Sequence, residues 1–170
     1  MVGDYNLTPL SEMETYALIQ ARLRKVGLEL GDFTDAETLK KIYQITGGIP
    51  RSVMTLCANL FGKGTLPITI PNLSQNTLVP FYEKIILERE YKPQKRDYLI
   101  RATKVLLAEP SYQCESKVVL ATKISDQIGI GKITALKLID KLISFGVATE
   151  EIGGKFNTNK IIKACAGKGN

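Results

Sequence analysis

Three groups of residues in this sequence have types and spacings that chemistry can use. The first is Arg51, which follows the turn Gly47-Gly48-Ile49-Pro50. A guanidinium in the first turn of a helix stands beside the positive end of the helix dipole, and its fork matches the oxygens of a phosphate. The second is Lys132, Thr134, Lys137 and Lys141 along one predicted helix, with Lys155 further on. Such side chains neutralise and hydrogen-bond a nucleic-acid backbone. The third is Cys57, Cys114 and Cys165, odd in number and without a CxxC pair. They indicate neither a disulfide framework nor a zinc cluster, and read as small apolar packing residues.

Several chemistries are missing. The 170 residues contain no histidine, which removes the commonest general base, the Ser/His/Asp and Cys/His triads, and the commonest metal ligand. A phosphate-cradling loop, GxxxxGK followed by Ser or Thr, is also absent. Around Lys63 the first glycine position is Cys57 and Gly64 follows the lysine; around Lys132 those positions are Asp126 and Ile133. No apolar strand ends in the paired acids that hold magnesium. The acidic residues are scattered over predicted helix surfaces, where a solvated face is the expected reading. The chain is therefore expected to hold no catalytic residue, no metal and no cofactor of its own.

The elements that must position these residues follow from pattern and composition. Hydrophobic content of 44% and charged content of 24% suit one globular domain or two small ones. No apolar run approaches the ~18 residues of a membrane span, and the N-terminus lacks a signal-peptide profile, so a cytoplasmic protein with no membrane partner is expected. Charge divides unevenly. Residues 1–91 hold nine Lys/Arg against ten Asp/Glu, and residues 92–170 hold fourteen against seven, giving −1 and +7. Two modules, 1–91 and 92–170, are expected, and the basic one is suited to a polyanion.

In the first module Ser11 with Glu14 forms a capping box ahead of Tyr16, Ile19, Leu23 and Val26. Thr34 with Glu37 is expected to open a second helix that Gly47-Gly48 closes. Pro50 suits the first turn of a third, carrying Val53, Leu56, Cys57 and Leu60. The stretch 62–71, GKGTLPITIP, is a connector. A fourth helix is predicted from about Thr77 to Tyr91, with Pro80 in its first turn.

Beyond Lys92-Pro93 the pattern gives a helix through Leu99, Ala102, Val105 and Leu106, then one through Val119, Ala121, Ile124 and Ile128. A break at Gly129-Ile130-Gly131 precedes a helix over 132–145. Its inward positions are Ala135, Leu138, Ile139 and Leu142, and its outward stripe is Ile133, Leu136, Lys137 and Asp140. A strand over 147–151, a tight turn at Gly153-Gly154 and a return strand over 155–158 complete the order. Lys163 and Lys168 read as solvating a frayed tail.

The strings LTPLSEMETYALIQARLRKVGLE and FTDAETLKKIYQITGGIPRSVMTLCANLF, about residues 7–62, resemble the helical lid of AAA+ ATPases: origin-recognition and helicase-loader initiators, transposition regulators and general-secretion ATPases. Gly47-Gly48-Ile49-Pro50-Arg51 resembles their sensor-2 motif. Residues 124–156, ISDQIGIGKITALKLIDKLISFGVATEEIGGKF, resemble a winged helix, a module that commonly follows the lid in origin-recognition initiators. The resemblance implies a mainly α chain, a lid-type bundle followed by a winged helix. It implies that Arg51 senses nucleotide, that ATP and magnesium are held by an N-terminal ATPase core not contained in this sequence, and that oligomers form through that core. Double-stranded DNA is the implied partner of Lys132, Thr134, Lys137, Lys141 and Lys155, held without sequence preference and in a salt-sensitive way. Two alternatives are a free-standing winged-helix transcription regulator with a helical dimerisation domain, and a protein-interaction adaptor that never meets DNA.

Overall fold

The computed structural model describes residues 9–62, 64, 66–152 and 160–165. The chain is mainly α and divides into two compact units, 1–72 and 73–170.

The first unit is built from α1 (Glu12–Arg24), α2 (Leu30–Phe33), α3 (Ala36–Thr46) and α4 (Pro50–Phe61). The Ser11 box forms in full: Glu14 N–H donates to the Ser11 hydroxyl at 3.3 Å, and Ser11 N–H donates to the Glu14 carboxylate at 2.8 Å. Ile19 and Leu23 of α1 are buried, as are Leu39, Ile42 and Ile45 of α3 and Val53, Leu56 and Leu60 of α4. The second cap differs from the expected one. Asp35, not Thr34, caps α3, its carboxylate accepting from Thr38 N–H at 2.7 Å. The Thr34 hydroxyl instead donates to the Ile68 carbonyl at 2.7 Å, and Ile68 N–H donates to the Phe33 carbonyl at 2.7 Å. A buried threonine therefore ties the connector to the bundle, and Ile68 is buried with it.

The two glycines before α4 do different work. Gly47 ends α3 in the left-handed conformation at φ 59° and has open space around it. Gly48, at φ 70°, is buried against the chain entering α1: Leu10 N–H donates to the Gly48 carbonyl at 2.9 Å, and a Cβ on Gly48 would lie 2.1 Å from the Leu10 carbonyl oxygen. Only glycine meets both the dihedral and the approach.

The second unit begins with α5 (Gln75–Arg89), so the division falls before the fourth helix and not at Lys92-Pro93 as expected. This helix buries Leu78, Phe81, Tyr82 and Ile86 and packs on α6 (Pro93–Leu107). Pro80 lies in its second turn and not its first, because the helix starts earlier, at Gln75. Leu99, Ala102, Val105 and Leu106 of α6 are all buried as predicted. A two-residue strand that periodicity did not reveal follows, β1 (Gln113–Cys114), then α7 (Lys117–Ile128), α8 (Lys132–Ser144), β2 (Ala148–Ile152) and β3 (Lys160–Ala164). The sheet is antiparallel in the order β1-β3-β2, with Cys114 opposite Ile162 and Glu150 opposite Ile162 on the other side.

The expected turn at Gly153-Gly154 and return strand over 155–158 lie outside the described residues. The strand that pairs with β2 is β3, further along the chain. Lys163 therefore belongs to a strand and not to a frayed tail: its ammonium lies 3.1 Å from the Glu151 carboxylate. Lys168 lies outside the described residues.

The geometry at the two glycines gives a graded expectation. Gly47→Ala meets only the left-handed penalty of about 1 kcal/mol. Gly48→Ala adds a backbone clash and loses at least about twice that. Urea unfolding of the two variants checks the order, and equal losses would contradict the close approach to Leu10.

Candidate nucleic-acid and phosphate interfaces

Arg51 is the second residue of α4 and is exposed. The helix entrance that carries it suits an anion by composition. Ile49 supplies no side-chain cap, Pro50 has no N–H, and the first turn holds no acidic residue. The Leu10–Gly48 backbone bond fixes this entrance against the start of α1. Arg51 is thus carried on a held turn at the positive end of a twelve-residue helix.

The second interface centres on α8. Gly129 closes α7 at φ 75°, its N–H donating to the Ser125 carbonyl at 2.9 Å, while the Ser125 hydroxyl donates to the Ile130 carbonyl at 2.6 Å. That serine, which no sequence motif marked, holds the break from which α8 starts. Gly131 offers no side-chain cap and the first turn of α8 has no acid, so its entrance is electropositive like that of α4. Lys132, Thr134 and Lys137 are all exposed on α8. Ala135, Leu138, Ile139 and Leu142 are buried as predicted.

The candidate cations then separate. Lys141 is half-buried and its ammonium bonds to the Glu90 carboxylate, so a phosphate would have to displace a carboxylate to reach it. It also stands 5.6 Å from the centre of the Phe145 ring. Lys104, Lys117, Lys123, Lys160 and Lys163 are likewise within ion-pair distance of Glu83, Asp140, Glu109, Glu150 and Glu151. Lys132 and Lys137 have no such partner among the described residues. Lys155 lies outside them. The outward stripe also holds Ile133, which is 73% exposed, and Asp140, which Lys117 neutralises.

Glu90 is the residue that pattern reading passed over. Its side chain is buried where α5 gives way to α6, and it accepts from the Lys141 ammonium and, at 3.2 Å, from Lys92 N–H. Its own carbonyl accepts from the Arg96 guanidinium, while the Arg89 guanidinium donates to the Phe145 carbonyl at 2.8 Å. No local sequence signal distinguishes this glutamate from its exposed neighbour Glu88.

The three cysteines are buried thiols, and burial pushes the Cys57 thiol up to about 12. No helix among the described residues is long and apolar enough to cross a membrane, and no three potential metal donors come together there. No family model matches the chain, and no curated protein or solved structure is significantly similar to it.

The Lys141 bond, then the Lys92 amide, hold the Glu90 carboxyl below the ordinary glutamate value of 4.5. A depressed carboxylate contributes stability above its unfolded pKa and loses it as pH falls through the folded one. The second unit is therefore expected to weaken below about pH 4.5, and Glu90→Gln to flatten that part of the profile. Thermal unfolding across this range tests it; an unchanged acid limb in the variant would remove Glu90 from the account.

Proposed function

We propose that this chain is the C-terminal regulatory part of an AAA+ ATPase, an ATPase lid followed by a winged helix that delivers the machine to DNA. The observation that carries the DNA-binding half is the order α6-β1-α7-α8-β2-β3 with a β1-β3-β2 sheet and a short glycine break before α8. That arrangement supports a helix-turn-helix whose second helix enters the major groove by its N-terminal residues. Lys132 and Thr134 stand at that end and Lys137 one turn on, with the cations unpaired among the described residues.

The recognition is of phosphate. The outward stripe of α8 lacks the Arg, Asn or Gln that read base edges by paired hydrogen bonds. Binding is therefore weak, tolerant of sequence and driven by counterion release. Lys141 stands apart from this set, as a buried-carboxylate partner, and its loss acts on stability.

The lid half rests on the Gly47-Gly48-Ile49-Pro50-Arg51 turn. Arg51 meets the terminal phosphate of a nucleotide bound by the ATPase core, and nucleotide state biases the lid. The exposed Ile133 and half-buried Leu136 favour a second reading, in which α8 docks on a protein.

Titration of a short labelled duplex by anisotropy at two salt concentrations separates the readings. DNA binding predicts a steep fall in affinity with salt, and Lys132→Ala and Lys137→Ala each lower the logarithmic salt slope by about one. An isotherm indifferent to salt, or to both substitutions together, would favour docking on protein. The isolated chain should also turn over no ATP; hydrolysis at about 1 s⁻¹ or faster would overturn the ATPase-fragment reading.

A further inference from the structure

The first unit carries a cleft that Arg51 does not line and that takes Gly62 from the start of the connector. It lies between α1 and α4, has a volume of about 340 Å³ and is lined almost wholly by carbon. From α1 it takes Ile19 and Leu23, from the turn after it Val26, and from α4 Met54, Cys57 and Phe61. Each set repeats at helical spacing, so two apolar stripes face one another with no helix between them among the described residues. Phe33 is buried at the base and stacks on Phe61 at a ring-centre distance of 6.4 Å. The walls stay open to solvent, with Val26 66% and Phe61 44% exposed. An apolar concavity of this kind marks a binding site.

The rim states the charge of the occupant. Arg22 lines the cleft, and Lys25, the C-cap of α1, directly precedes the lining residue Val26. Both are exposed, and neither side chain has an ion pair or hydrogen bond among the described residues. The nearby Glu29 carboxylate is taken by Arg24 at 3.5 Å and by Gln20.

We propose that this cleft receives an acidic amphipathic helix of a partner protein. Its apolar ridge fills the space between the two stripes, as a third helix does in a bundle, and its carboxylates meet Arg22 and Lys25. Charge sets the choice of partner and apolar burial the affinity. This assignment is independent of the DNA and nucleotide readings, since it uses none of their residues.

The test titrates the full chain with two fluorescent helical peptides of about four turns, alike in their leucine ridge and differing only in Glu or Lys elsewhere. The acidic peptide should bind at least about ten-fold more tightly than the basic one. Ala58→Glu, which places a charge at an exposed position of the cleft wall, should remove binding of the acidic peptide with an unchanged far-UV spectrum. The double variant Arg22→Glu/Lys25→Glu should reverse the preference. Equal binding of both peptides, or binding that survives Ala58→Glu, would overturn the proposal. So would self-association of the chain that Ala58→Glu abolishes, because the occupant would then be a second copy.

Discussion

A buried carboxylate at the join of two helices organises the second unit. Glu90 ends α5, and an ionised group in that position is tolerable only if donors surround it. The donors come from two sides: the Lys92 amide just beyond it, and the Lys141 ammonium from α8. The Arg96 guanidinium, bonding the Glu90 carbonyl, and Arg89, reaching the Phe145 carbonyl, fasten the same corner. Because these bonds run from the end of α5 to α8, α5 is part of the unit that α6 to α8 build. A break placed at Lys92-Pro93 reads the proline as a stop, when it is the first residue of α6. Proline suits that position because the N–H it lacks is one the helix leaves unpaired.

The local rules were legible where the code is local. The Ser11–Glu14 box, Pro50 opening α4, the glycine closing α7 and the buried faces of α6 and α8 all follow from spacing. What sequence concealed depends on long-range partners. Thr34 and Asp35 are both competent caps, and only the Ile68 carbonyl, 34 residues away, claims Thr34 for the connector. A strand as short as β1 has no period to detect, and it exists because β3 offers it a partner. Register is long-range in the same way: among the described residues β2 pairs with Lys160–Ala164, and that pairing is fixed by the partner strand and not by any local pattern.

The candidate site shows the same division. Sequence reading put Lys132, Thr134, Lys137 and Lys141 on one helix, and the structure agrees with that placement. It could not show that one of the three lysines faces a buried glutamate at the C-cap of α5. A lysine on an amphipathic helix looks the same in a sequence whether it is solvated or paired, because the carboxylate that answers it lies elsewhere in the chain.

Pairing also changes what a net charge of +6 means. In the second unit the described lysines of α7 and β3 all sit beside acids, and surface pairs of this kind add little stability. Their larger effect is on the field. Each pair cancels a charge over a short distance, so the long-range potential is shaped by the cations left over. On α8 these are Lys132 and Lys137, beside a helix entrance that has neither an acid nor a side-chain cap. In the first unit Arg22 and Lys25 stand out in the same way along the rim of an apolar cleft. The distribution thus argues for two separate positive surfaces of different character: one polar and suited to phosphate, the other edged by carbon and suited to carboxylates on a helix.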